Sequence, residues 1–233
     1  MKPLEGLRAL VTGCSGRLGP IWMDALQNAG ATLYGTDLLG NGNGDITNPS
    51  EVNALVDCYP DIDILVNNAG VDSRPGSHGE DEAAMREVNL GGTALMIEKF
   101  AAHTRVTRII NIASLYGFVA PDMRYYNHRK DGWEKDVMYG ATKAAIIQLT
   151  RDYAARLAPK VRVNALAPGG VVAGGDALTK ADPEFARKYT ARIPMQRMCR
   201  PEDLAGPLVF LASDQSSFVT GHTIPIDGGY LCW

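Results

Sequence analysis

The chain has 233 residues, enough for one domain with a substantial buried core, and its 45% hydrophobic and 21% charged residues are those of an ordinary globular protein. A formal charge of −3 argues against a nucleic-acid surface, and no apolar run reaches the ~18–20 residues that span a bilayer. The start of the chain carries no signal-peptide pattern, and Cys14, Cys58, Cys199 and Cys232 lie too far apart for a zinc or redox motif, so the expected setting is cytoplasmic with reduced thiols.

Short β-rich runs alternate with helical patterns along the whole chain, as in a parallel sheet wrapped by helices. A strand over 7–12 ends in a glycine-rich turn. Leu18, Ile21, Trp22, Ala25, Leu26 and Ala29 then mark the apolar stripe of a helix that Gly30 stops. A second strand runs from Ala31 to Asp37 into an irregular loop over 38–44, after which Asn48 and Pro49 read as the cap and first turn of a helix. Further strands are expected over 62–66, 108–112, 161–166 and 223–227, and a long helix over Val137–Leu157. The stretch between the last two strands should hold at least two helices, one opening at Pro201-Glu202-Asp203. No linker or repeat interrupts this order. The reading is one doubly wound α/β domain of Rossmann type over 1–233, with its ligand crevice at the carboxyl ends of the strands.

The turn after the first strand, Thr12-Gly13-Cys14-Ser15-Gly16-Arg17-Leu18-Gly19, spaces its glycines by three. Leaving a strand and opening a helix, it stands where a dinucleotide-binding turn would let backbone approach a pyrophosphate held by the helix N-terminus. Asp37 lies 24 residues beyond Gly13, at the end of the second strand. A carboxylate there accepts hydrogen bonds from an adenosine ribose and repels a 2′-phosphate, which favours NAD over NADP. Arg17 is the complication, since a guanidinium in the turn could rescue NADP.

Tyr139 and Lys143 are spaced i, i+4 and project from one helix face. An ammonium beside a phenol would lower a pKa normally near ~10 and make the tyrosine a general acid/base, although this spacing also occurs in plain surface pairs.

Together these motifs resemble the short-chain dehydrogenase/reductases, specifically the compact branch. The likeness runs through Thr12–Gly19, Asp45-Ile46, Asn67-Asn68-Ala69-Gly70, Asn89, Ser114, Tyr139 with Lys143, Pro168-Gly169, Thr220-Gly221-His222 and Asp227-Gly228-Gly229. The resemblance implies that Ser114 hydrogen-bonds the substrate oxygen and Tyr139 exchanges the proton. Lys143 would hold the nicotinamide ribose, and Asn89 would support a water leading from Lys143. For the cofactor it implies contacts from Gly13, Ser15, Gly16, Arg17, Leu18 and Gly19, from Asp37, and from Asp45 and Ile46 at the adenine. Asn67, Ala69 and Gly70 would line the adenosine side, Tyr139 and Lys143 the nicotinamide ribose, and Pro168, Gly169 and Val171 the carboxamide. Structural roles also stand for three of these: Ser114 as a strand-end cap, Asn89 bonding backbone, and Asp45 capping a turn.

Three departures stand out. Arg17 replaces the middle glycine of the compact pattern, and the resulting spacing resembles the sugar-nucleotide-modifying branch. Ala173 stands where a threonine is common. Ser114 and Tyr139 are 25 residues apart, about twice the usual separation, and the stretch between them includes Tyr125, Tyr126, His128, Arg129 and Trp133. Such an insertion either walls the pocket for a hydroxylated or anionic small molecule, or forms a solvated loop or oligomer contact.

The implied activity is an NAD-dependent oxidoreductase interconverting a secondary alcohol and a ketone on a small polar, sugar-like or anionic substrate. The alternatives are a nucleotide-sugar epimerase or dehydratase with tightly held NAD, and a non-catalytic NAD(H)-binding protein. The four histidines lack ligand spacing, so no metal is expected, and no nucleic-acid or membrane partner. A homo-oligomer, dimer or tetramer, is implied through the Val137–Leu157 helix and the C-terminal residues.

Overall fold

The computed structural model describes residues 2–38, 44–73, 81–132, 134–172 and 182–233. Six strands, β1 (Arg8–Thr12), β2 (Thr32–Thr36), β3 (Ile64–Asn67), β4 (Arg108–Ile112), β5 (Arg162–Pro168) and β6 (Thr223–Ile226), form one parallel sheet in the order β2-β1-β3-β4-β5-β6. The chain reverses direction across the sheet between β1 and β3, which are paired through Val11↔Val66, and the crevice opens at the carboxyl ends beside that point.

Strand side chains alternate between two cores, which is why the strand sequences are apolar at nearly every position. Ala9, Val11, Ile64, Val66, Ile110 and Leu166 face one side, where they meet Trp22 and Leu26 of α1 (Gly19–Asn28). Leu10, Leu65, Ile109 and Val163 face the other, against Leu55 of α2 (Pro49–Cys58) and Phe100 of α4 (Thr93–His103). The helix ends follow the sequence signals. Asn48 Oδ1 accepts from Ser50 N at 3.0 Å to cap α2, and Gly30 takes φ +101° after α1, the left-handed geometry that glycine tolerates.

A short α3 (Glu82–Ala84) passes into a π-wound segment, Met85–Gly92, before α4. This wider winding, absent from the sequence reading, carries Asn89, and Gly92 lets it press on Ile46: a Cβ at Gly92 would lie 2.6 Å from that side chain. The long helix α5 (Val137–Leu157) spans the expected residues and buries Thr142, Lys143, Ile146, Ile147 and Thr150. Its exposed positions include Val137, Ala141, Ala144, Gln148, Arg151 and Asp152, so the outward face mixes small apolar and polar side chains. Two further helices, α6 (Pro183–Ala191) and α7 (Pro201–Ala212), lie between β5 and β6.

The insertion between Ser114 and Tyr139 is a packed wall. Tyr125 and Tyr126 are buried, and their rings join Phe185 and Tyr189 of α6 in a cluster that includes Tyr230. Tyr189 stacks on Tyr230 at 5.5 Å, and the Tyr125 and Tyr230 hydroxyls are hydrogen-bonded at 3.0 Å. The reading of this stretch as a solvated loop is therefore set aside. Aromatic side chains from the insertion, from α6 and from the C-terminal residues fill one satellite core.

Candidate functional site

A crevice of about 970 Å³ runs along the carboxyl edge of the sheet, from Asp37 at one end to Tyr139 and Tyr189 at the other. At the Asp37 end Thr12 sits fully buried, and its Oγ1 accepts from the N–H groups of Asn68 and Ala69 at 3.1 and 3.0 Å. The Asn68 amide donates to the carbonyls of Thr12 and Gly13 and accepts from Trp22 Nε1 at 2.8 Å. These bonds pin the glycine turn against the next strand end so closely that a Cβ on Gly13, whose φ is +63°, would meet Ala69 Cα at 2.7 Å. Asp37 Oδ2 accepts from Ser15 N at 2.8 Å, which fixes the carboxylate at the tip of β2.

Most predicted residues line this crevice; Ser15, Gly19, Asn67 and Asn89 do not. Ser15 contributes only its backbone bond to Asp37. Gly19 is buried beneath the turn, packed on the carbonyls of Gly13 and Cys14. The Asn67 side chain turns into the core, donating to Asn111 Oδ1 at 2.9 Å, and its neighbour Asn68 faces the crevice instead. The cause is strand alternation, which sends adjacent side chains to opposite faces. Asn89 stands behind the wall, with Oδ1 accepting from Val71 N at 2.8 Å and Nδ2 donating to Val71 O and Thr142 Oγ1. Asp45 lines the crevice but also caps its own turn, accepting from Thr47 N and Thr47 Oγ1.

At the other end Ser114, Tyr139 and Lys143 converge. Ser114 leaves β4 in extended conformation, its Oγ accepting from Tyr116 N at 3.3 Å, and lines the crevice together with the Tyr139 phenol, whose pKa its hydroxyl lowers. Lys143 is buried, with Nζ 5.8 Å from the Tyr139 ring centre, and donates to Ile112 O at 2.9 Å. A Cβ on Gly70 would lie 3.1 Å from Asn89 Oδ1 and 3.5 Å from Lys143 Nζ, so that glycine is what lets the asparagine and the lysine approach one point.

The electrostatics correct one expectation. Burial pushes the Tyr139 phenol up to about 12, helped by the Asp72 carboxylate, while the Ser114 hydrogen bond and Arg17 pull it down. Lys143 does not hold it below 10. The same burial brings Lys143 itself down to about 8, against the pull of Asp72. The folded protein thus releases this proton near pH 8, while the unfolded chain keeps it to about 10.5, so folding is penalised below 8 and the penalty lifts as pH rises. Calorimetric unfolding of the ligand-free protein should show wild type gaining stability relative to Lys143→Met from pH 7.5 to 9.5. A constant difference between the two would show that Lys143 is not desolvated.

Arg17 also departs from expectation. Its Nη2 donates to Val171 O at 2.6 Å, so the guanidinium reaches across to the Pro168–Val171 wall, away from the Asp37 end where a 2′-phosphate would lie. Asp72, Tyr116, Lys135 and Asp182 line the crevice and escaped the motif reading. The length of the insertion and the position of Asp72 just after Gly70 were the available signals. His128 does not line the crevice; its Nε2 pairs with Asp182 Oδ1 at 2.7 Å. Ala173 and Trp133 lie outside the described residues. No group of three or more His, Cys, Asp or Glu among the described residues is arranged to hold a metal, and none of their helices is long and apolar enough to cross a membrane.

A family model described as enoyl-(acyl carrier protein) reductase matches residues 27–231. The chain is 32% identical to 3-oxoacyl-(acyl-carrier-protein) reductase of Thermotoga maritima, over 97% of this chain and 98% of that protein. It is 31% identical to 2-dehydro-3-deoxy-D-gluconate 5-dehydrogenase of Dickeya dadantii, over 98% and 96%. Among solved structures, a gluconate 5-dehydrogenase from Burkholderia cenocepacia in complex with NADP and tartrate superposes with a TM-score of 0.82 at 27% identity, covering 99% of this chain and 97% of that one. With a family model over residues 27–231 and a relative 32% identical over nearly its full length, and with a glycine turn, a Ser-Tyr-Lys cluster and a doubly wound sheet of its own, the chain belongs to the short-chain dehydrogenase/reductase family.

Proposed function

We propose that this protein is an NAD-linked oxidoreductase of a single domain that interconverts a secondary alcohol and a ketone on a small polar, sugar-like or anionic substrate. The observation that carries the reading is the convergence of Ser114, Tyr139 and Lys143 at one end of a crevice whose other end is a glycine turn and Asp37. The residues fit a dinucleotide. The Gly13 backbone lies where a side chain would clash, the N-terminus of α1 faces the crevice, and a volume near the top of the ~300–1,000 Å³ ligand-pocket range suits an extended ligand. When bound, the nicotinamide supplies the hydride acceptor or donor.

The chain's own residues would handle the proton and the oxygen. Tyr139 Oη takes the hydroxyl proton as the alcohol is oxidised and returns it as the ketone is reduced. Ser114 Oγ hydrogen-bonds the same oxygen and holds its developing charge in place. Burial favours the neutral phenol in the resting site, and Arg17 with the Ser114 hydroxyl pulls against that preference when the proton moves. Asn89, tied to Val71 and Thr142, fixes the segment behind Lys143. Relatives named as dehydrogenases of hydroxylated carbon acids support this class of chemistry.

Asp37 supports NAD as the preferred cofactor, and the turn of Arg17 towards Val171 removes the guanidinium that would have favoured NADP. Asp37→Ser is expected to shift the NADP-to-NAD ratio of kcat/KM towards NADP by ~10-fold, because a like-charge repulsion of about 1.4 kcal/mol is lifted. An unchanged ratio would remove Asp37 from the cofactor site. A homo-oligomer in the cytoplasm completes the proposal; Trp233 and Phe218 are large exposed apolar side chains on this chain, and sedimentation velocity reads the assembly state. The direct test of function is a screen of hydroxy compounds with NAD and NADP separately, followed by absorbance of the reduced cofactor. Absence of turnover across hydroxy acids, polyols and simple secondary alcohols would leave a non-catalytic binder.

A further inference from the structure

The insertion places a second ammonium at the Tyr139 end of the crevice. Lys135 Nζ stands 4.1 Å from the centre of the Tyr139 ring and 6.0 Å from that of Tyr116, and it forms an ion pair with Asp72. Two ring faces hold the cation, since aromatic π-systems attract ammonium groups, more strongly where water is excluded. The two partners differ in freedom. The Lys135 side chain is 12% exposed and the Asp72 side chain 44%, and among the described residues Asp72 Oδ1 is otherwise engaged only locally, by Ser73. The lysine is therefore the fixed member of the pair and the aspartate the member that can swing into water.

The charges around that end favour an anion. Four cations line it (Arg17, Arg129, Lys135 and Lys143) against two lining carboxylates, Asp72 and Asp182, with Arg129 also paired to Asp131 behind it. Asp182 is occupied by Phe185 N, His128 and Arg129. Arg17 and Lys143 donate to the backbone carbonyls of Val171 and Ile112 rather than to acids. Asp72 is thus the exchangeable counter-ion of a site carrying excess positive charge.

Resting on the oxidoreductase reading above, we propose that Lys135 is a specificity-determining residue that binds the carboxylate of a small hydroxy-acid substrate, with Asp72 occupying its place until the substrate arrives. The geometry sets what the substrate must be. Its carboxylate takes the place of Asp72 on the Lys135 ammonium, which itself lies over the Tyr139 ring, and the hydroxyl that is oxidised lies at the Tyr139 Oη edge, so a few carbons separate the two groups. Neutral polyols of the same length leave the Lys135–Asp72 pair closed and gain nothing from it. Placing an anion beside Lys135 also keeps positive charge next to the phenol without leaving it unpaired.

The test is calorimetric binding of D-gluconate and of its neutral counterpart D-glucitol to the full-length protein saturated with NAD, at pH 7 and low salt. Wild type should bind gluconate at least 10-fold more tightly than glucitol. Lys135→Met should remove that preference by weakening gluconate 10-fold or more with glucitol affinity unchanged, and Lys135→Arg should restore most of it. Asp72→Asn, which removes the competing carboxylate, should tighten gluconate several-fold. The proposal is overturned if gluconate shows no preference over glucitol, if Lys135→Met leaves it within two-fold, or if Asp72→Asn weakens it. A preference for D-glucosamine over glucitol that Asp72→Asn abolishes would assign the site to cationic substrates instead. Binding is read without turnover, so failure of hydride transfer in the cofactor-absorbance screen sinks the oxidoreductase reading separately.

Discussion

Tyr139→Phe is expected to lower kcat by ~10²–10⁴-fold, the range that a positioned general acid/base contributes, while NAD affinity stays within about three-fold. The substitution removes one oxygen from a ring held by α5, between Ser114 and the Lys135 ammonium, and leaves its packing intact. Cofactor contacts from the glycine turn, Asp37 and the Pro168–Val171 wall lie elsewhere along the crevice. Steady-state rates from the absorbance of reduced cofactor, paired with a fluorescence titration of NAD, separate the two effects. Near-wild-type turnover would remove Tyr139 from the chemistry, and loss of both activity and binding would mean that the ring, rather than its hydroxyl, matters.

Gly19→Ala should have one of the largest structural effects of a methyl added at any described glycine. A Cβ there would sit 2.4 Å from both the Gly13 and Cys14 carbonyl oxygens, far inside contact distance and against backbone that cannot rotate away. Either α1 lifts from the sheet or the turn opens, and both disturb the buried Trp22 and Leu26. The expected destabilisation is about 2–4 kcal/mol, in the range of overpacking combined with backbone strain, together with loss of measurable NAD binding. Gly206→Ala is the control with a small effect. It lies within α7 with nothing beyond its chain neighbours within 4 Å of its Cβ position, and the gain in helix propensity is opposed by the following Pro207 ring, so stability should change by less than about 1 kcal/mol. Denaturant unfolding of the two variants beside wild type distinguishes them, and a silent Gly19→Ala would mean that the turn is looser than its geometry.

Much of the fold was legible because its strands are buried on both faces. Ile109 and Ile110 point to opposite cores, yet both must be apolar, so β4 reads as an unbroken run at the expected residues 108–112. The cap at Asn48 and the stop at Gly30 were equally plain, since each depends on local backbone geometry. Two features were not. The π-wound segment around Asn89 leaves no periodicity of its own, and its close contact with Ile46 at Gly92 joins residues 46 positions apart. The choice between Asn67 and Asn68 at the crevice depends on where β3 ends, a register that one residue inverts.

By itself the sequence determined the doubly wound order of strands and helices, the glycine turn with Asp37 after β2, and the i, i+4 placement of Tyr139 and Lys143. Each follows from interactions between residues near one another along the chain: helix periodicity, turn geometry and capping. Only the tertiary structure decided what surrounds the tyrosine. It brought Lys135 over the ring, set Asp72 against that lysine, turned Arg17 to Val171 and buried Lys143 enough to weaken its hold on a proton. Those groups lie 4 to 122 positions from Tyr139. Their fields and desolvation depend on distances in space, which no local pattern of residues encodes.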